Sequence, residues 1–154
     1  MTVTFVEEPW SVYRAECDAL WREHYDELAA RKSQMKMKPD ETAYRALESA
    51  GVLHILVARD QGVMVGYLLS VVRPHLHYCD NLCGFEDAYF LTRDHRRGRT
   101  GIRLFQAWEQ TMRLARCDML FAMCKVIPDL DHTRMLEWLG FKRTDYAFSK
   151  WIGA

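Results

Sequence analysis

Between Arg93 and Gly101 the chain reads Arg-Asp-His-Arg-Arg-Gly-Arg-Thr-Gly, with four arginines and two glycines in nine residues. Ahead of it, Phe85 to Thr92 is rich in aromatic and β-favouring residues, as a buried strand is. Behind it, Ile102, Phe105, Trp108 or Glu109, Met112 and Ala115 recur at three- and four-residue steps, the mark of one helical face. A strand, a basic turn and a helix in that order leave several unpaired backbone N–H groups at a helix N-terminus. The partial positive charge of that end adds to the charge of the arginines. Such a turn can capture a phosphate or pyrophosphate, here at Arg97, Gly98, Arg99, Thr100, Gly101 and Ile102. The competing readings are a solvated basic face and a patch that meets nucleic-acid phosphates directly. The 21 basic and 21 acidic residues balance, so the surplus of positive charge usual in nucleic-acid-binding domains is missing.

Two carboxylates, Glu86 and Asp87, are adjacent in that otherwise apolar strand. Alternation along a strand sends them to opposite faces, so one lines a cavity and the other is structural. Burial raises a carboxyl's pKa towards the strength of a useful base. The alternative is that each pairs with a nearby Arg or His. Just upstream, His75, His77 and Tyr78 lie in the polar connection from Arg73 to Gly84. Histidine titrates near neutrality, so His77 can relay a proton while His75 and Tyr78 meet a substrate. A hydrogen-bonded structural role is the alternative for each. No Cys or carboxylate cluster stands at ligand spacing around these histidines, so no metal site is expected. The five cysteines, Cys17, Cys79, Cys83, Cys117 and Cys124, are an odd number without a CxxC pair. They read as reduced thiols of a cytoplasmic protein.

The elements that must position these groups follow from pattern. At 154 residues, 49% of them hydrophobic, residues 1–154 read as one domain with its own core. The opening MTVTFVEEPW has no leader-like pattern, and no apolar run approaches a membrane span of ~20 residues. Thr2 to Val6 is a strand, and Pro9 opens a helix whose stripe is Trp10, Tyr13, Cys17, Leu20, Trp21, His24 and Leu28. After the loop Arg31 to Lys38, Asp40 caps a second helix that Gly51 ends. Strands Val52 to Arg59 and Val63 to Val72 flank the turn Asp60-Gln61-Gly62. Met119 to Val126 is a further strand, Asp129 to Leu139 a helix stopped by Gly140, and Lys142 to Ile152 a closing strand pair.

In this setting Arg96 to Gly101 resembles the acetyl-CoA-binding motif of the GCN5-related N-acetyltransferase (GNAT) superfamily, Gln/Arg-x-x-Gly-x-Gly/Ala. Arg99 stands at the place of the middle glycine, and Gly98 comes one residue early. Met64-Val65-Gly66 in the hairpin and the tail EWLGFKRTDYAFSKWI also fit, so the resemblance covers roughly residues 50 to 152. The HLHY segment, the EDAYFL strand and the RRGRTG turn look most like a phage-encoded branch.

The resemblance implies an α/β (α+β) fold: a central mixed, mostly antiparallel twisted sheet of six to seven strands flanked by about four helices. It implies acetyl-CoA as cofactor, with its pantetheine laid along Phe90, Leu91 and Thr92 like an added strand. The pyrophosphate would rest on the amides of residues 97 to 102. The acetyl group would pass directly, in a ternary complex, to a primary amine. Glu86 is the favoured base and Asp87 the alternative, with His77 as fallback. The family's thiolate-protonating tyrosine is replaced by Leu136, so Tyr146, Tyr78, Tyr89 or water must stand in. Cys124 is either an acyl-enzyme nucleophile or a buried structural thiol. Phe141, Tyr146, Phe148 and Trp151 suggest pairing of two copies through the closing strands. The alternative functions are an acyl-CoA-binding module without efficient catalysis and a small nucleic-acid or protein-binding domain. No signature names the acceptor amine.

Overall fold

Residues 3–127 and 130–153 are described by the computed structural model. Two compact units divide the chain, Met1–Met123 and Cys124–Ala154. In the first, five strands stand side by side in sequence order: β1 (Thr4–Glu7), β2 (Leu53–Asp60), β3 (Val63–His75), β4 (Tyr78–Leu91) and β5 (Met119–Phe121). All neighbours are antiparallel except the last pair, where β5 runs parallel to β4 opposite Cys83, Gly84 and Phe85. The helices of this unit are α1 (Trp10–Glu16), α2 (Asp18–Leu28), α3 (Glu41–Ser49) and α4 (Thr100–Leu114). The second unit holds α5 (Thr133–Trp138). Among the described residues the sheet thus has five strands where six to seven are expected, and five α-helices accompany it.

Local chemistry accounts for the elements that form as expected. Cys17 keeps helical dihedrals (φ −76°, ψ −13°), so the winding continues from α1 into α2 and the stripe stays on one side. Asp40 accepts the Ala43 N–H at 3.0 Å and caps α3. Gln61 and Gly62 both take positive φ (50° and 85°), the two-residue turn whose twist suits an antiparallel pair.

Three expectations fail. The polar stretch 73–84 is not a loop, because β3 and β4 extend as a long hairpin arm to a tight turn at Leu76 and His77. Main-chain pairing, which needs no apolar side chains, holds it together. The strand at Met119 ends at Phe121 instead of Val126. Residues 141–153 form no strand pair; nothing in their sequence supplies a hairpin turn to pin a register. The expected start of the last helix at Asp129 lies outside the described residues.

The sheet's two faces are covered differently. Ile55, Val57, Tyr67, Leu69 and Phe90 pack under α1 and α2 with Trp10, Tyr13, Cys17 and Trp21, and Tyr44 of α3 adds to the edge. Against the other face, α4 buries Leu104, Phe105, Trp108 and Met112. Its Trp108 indole N–H donates to the Ser70 hydroxyl on β3 at 2.9 Å.

Candidate active site

The two carboxylates are separated by a bulge in β4. Ser70 pairs with Glu86 and Leu69 with Ala88, so Asp87 is the extra residue of the stretch. Glu86 is buried at 6% exposure and accepts the Met123 backbone N–H at 2.8 Å. Its charge is felt by Tyr89, whose hydroxyl is pushed far up, first by burial and then by that carboxylate. Asp87 is reached by solvent, yet burial of its carboxyl pushes its pKa up. Its charge reaches Tyr44, whose hydroxyl is pushed up to about 12, chiefly by its own burial. Glu86 therefore anchors the chain after β5, and Asp87 belongs to the α3 side of the sheet.

The face under α1 and α2 carries a series of polar aromatic groups. Trp21 donates its indole N–H to the Tyr13 hydroxyl at 2.5 Å, and the Tyr13 ring meets the Tyr67 ring edge-on at 5.5 Å. The Tyr67 hydroxyl meets His24 Nδ1 at 2.6 Å, and the His24 ring stacks on Phe90 at 5.0 Å. Burial raises the Tyr13 and Tyr67 hydroxyls, so both stay neutral donors.

At the end of β4 the turn shows how its amides are reserved. Arg93–His95 form one 3₁₀ turn before α4 starts at Thr100. Gly98 has φ +80°, which a residue with a Cβ rarely adopts, whereas Arg99 does not (φ −107°). The left-handed step therefore falls at Gly98, and this explains a glycine one residue early. Among the described residues, no acceptor takes the N–H groups of residues 97–102. Arg97 and Arg99 are exposed and form no ion pair there. Arg96 is already engaged: its Nε–H donates to the Leu91 carbonyl at 2.7 Å, and its terminal nitrogen pairs with Glu27 at 2.5 Å. Glu27 of α2 also holds Arg93 at 3.1 Å, and the two arginines lower its pKa against the opposing effect of burial.

The pantetheine anchors differ in what they leave free. The Thr92 N–H donates to the Val65 carbonyl and its own carbonyl accepts from His95. Antiparallel alternation turns Phe90 towards β3 as well, and Leu91 towards the other edge. With the Leu91 carbonyl held by Arg96, the Leu91 N–H is the group left for a ligand along that edge.

His75, His77 and Tyr78 do not join this site. They occupy the tip of the hairpin arm, where His75 packs on Tyr78 at 4.8 Å and on Phe121 at 6.3 Å. Asp87 is nine steps along the strand from Tyr78, up to about 30 Å at the usual rise. His77 cannot hand a proton across that distance.

In the second unit, the Cys124 thiol is ringed by partners. It donates to the Asp131 carboxylate at 3.3 Å and accepts from the His132 N–H (3.3 Å) and the Thr133 hydroxyl (3.5 Å). Burial pushes its pKa up, so it stays a thiol that helps cap α5, where Leu136 is buried.

Tyr44, His24, Glu27, His95 and Asp60 were absent from the residues expected at the site. His95 lies within the basic turn itself, whereas folding brings Glu27 and Asp60 to that turn across long sequence gaps.

The model of the acetyltransferase (GNAT) family matches residues 14–141. The chain belongs to that family. It is an acetyltransferase by membership, and members use acetyl-CoA. No protein of curated function matches the sequence. An aminoglycoside acetyltransferase from an uncultured soil metagenomic sample is similar in fold (TM-score 0.75, 13% identity, 99% of this chain and 100% of that one). So is a ribosomal-protein-alanine N-acetyltransferase from Brucella melitensis biovar Abortus (TM-score 0.72, 16% identity, 99% and 100% covered). A third is AAC(6')-Iy, solved with a bisubstrate analogue, CoA-S-monomethyl-acetylneamine (TM-score 0.68, 16% identity, all of both chains covered). Among the described residues, no helix of this GNAT protein is long and apolar enough to cross a membrane.

Proposed function

We propose that this GNAT protein moves an acetyl group from acetyl-CoA directly to a primary amine, with Asp87 as the general base. The observation that carries the assignment is the bulge: it separates a carboxylate that solvent reaches from one committed to the Met123 N–H. An ammonium entering beside Asp87 must lose a proton before it can attack the thioester, and a carboxyl with a raised pKa is better matched to take it. CoA would be held by the amides of residues 97–102, by Arg97 and Arg99, and by the Leu91 N–H. Thr92 and Phe90 would shape this stretch through their side chains and their pairing with β3. The Tyr13–Tyr67–His24 series supports the face on which the acceptor lies.

The acceptor is a small amine or a protein amine, and aminoglycosides and ribosomal-protein alanine head the panel because the similar structures include an aminoglycoside acetyltransferase and a ribosomal-protein-alanine N-acetyltransferase. Both units are read as one acetyltransferase domain, since the family match crosses them. The five free cysteines suit a cytoplasmic location. A second copy is placed against residues 141–153, where Tyr146, Phe148 and Ile152 are 75%, 95% and 88% exposed. A phage origin has no support from the relatives named above and is not part of the proposal.

The test is release of free CoA and mass-spectrometric detection of an acetylated amine across the panel. Asp87→Asn should lower the rate about 10²-fold or more and remove the acidic limb of the pH profile. An unchanged rate and profile would remove Asp87 from the role. CoA binding without turnover of any amine would favour a binding module, the reading that Leu136 invites.

A further inference from the structure

The turn that offers its amides is tied down by contacts that use none of them. The His95 ring sits between two elements, with Nδ1 2.8 Å from the Thr92 hydroxyl and Nε2 3.2 Å from Asp60 Oδ2. Thr92 follows the last residue of β4, and Asp60 ends β2, beside the first hairpin turn. The Asp60 side chain is only 10% exposed and that of His95 22%. The second Asp60 oxygen, Oδ1, is buried and has no hydrogen-bond partner among the described residues. The carboxylate's full demand for a donor therefore falls on the imidazole, and this places a proton on Nε2. In the neutral ring, Nδ1 then accepts from the Thr92 O–H. In the imidazolium it donates to the same oxygen, and the hydroxyl turns to suit. The Asp60–His95–Thr92 chain is complete in either state.

Its position matters because the 3₁₀ turn Arg93–His95 is the only regular structure between β4 and the open amides. Arg96 fixes one side of that turn through the Leu91 carbonyl and Glu27. His95 fixes the other side against the first hairpin. We propose that His95, held by Asp60 and holding Thr92, is a positioning residue that sets the pyrophosphate turn in its binding conformation before CoA arrives. A turn already ordered has less freedom to lose on binding, so the clamp acts on cofactor affinity through the phosphate end. The proposal rests on the reading of residues 97–102 as the phosphate cradle.

A double-mutant cycle on the full chain, with CoA affinity measured by calorimetry, tests it. His95→Ala should weaken CoA binding about tenfold, and Thr92→Val, which keeps the branched shape and removes only the hydroxyl, should weaken it a few-fold. In a background of Arg97→Ala with Arg99→Ala, where the cradle is already impaired, His95→Ala should cost much less. Affinity unchanged by both Thr92→Val and His95→Ala would overturn the clamp. So would the same tenfold loss in both backgrounds, because that is the behaviour of a residue acting on general stability. A wild-type chain that does not bind CoA would instead remove the cradle, and the clamp with it.

Discussion

Both faces of the sheet bury aromatic side chains but treat polar groups in opposite ways. Under α4 the polar atoms are matched locally: Trp108 donates to Ser70, Glu86 accepts from Met123, and the rings of Phe105, Trp108 and Tyr89 meet edge-on. Under α1–α3 the polar rings form a series, Trp21 to Tyr13 to Tyr67 to His24, that ends at a histidine stacked on the strand's last turn. Asp87 adds a carboxyl with a raised pKa to that side. The α4 face works as a foundation that fixes where β4 runs. The other face holds hydroxyls that burial keeps neutral.

The sharpest test of the foundation is Trp108→Ala. Trp108 is 1% exposed and loses both its packing and its bond to Ser70, so unfolding should become easier by about 3–5 kcal/mol in a denaturant titration. A loss under about 1 kcal/mol would mean that this face is not the foundation. Next in size comes the contrast between the two carboxylates. Glu86→Gln keeps an oxygen that can accept from Met123 and should hold its rate within about tenfold, while Asp87→Asn loses far more. The pH dependence of stability separates them as well. A carboxyl whose pKa is raised on folding holds its proton in the native state at pH values where the unfolded chain has lost it. Stability therefore falls as pH rises from the ordinary carboxyl range through the raised Asp87 value, and Asp87→Asn should flatten that slope. The smallest effect is expected for Tyr67→Phe, which removes the hydroxyl that meets His24. About 1 kcal/mol of stability should be lost, read as a shifted midpoint at unchanged slope.

What was legible in the sequence follows from what each signal reports. Asp40 and Gly51 bracket α3, the Asp60-Gln61-Gly62 turn joins β2 to β3, and the α4 period is correct, because caps, left-handed turns and buried stripes leave local traces. The arm beyond Val72 left none, since hydrophobic alternation records burial and this arm is exposed at most positions. The bulge at Asp87 has no sequence mark at all, yet it separates the two carboxylates along β4. The reach of the Glu86 side chain says nothing of backbone register, which sets Glu86 opposite Ser70 and leaves Asp87 as the extra residue. Asp60 and His95 are 35 positions apart, and no spacing rule could have joined them. The aromatic tail misled for a related reason: residues suited to strands make a ladder only when something fixes their register.

The short pairing of β5 with β4 has a cost in the test tube. From Glu86 to Leu91 no strand of the described residues lies along that edge of β4, although β3 pairs along the other. A strand edge without a neighbouring strand is what another polypeptide can zip onto. A ligand laid along the same edge would shield it. Preparations supplemented with CoA should therefore stay clear in long storage at concentrations where the unsupplemented protein turns cloudy.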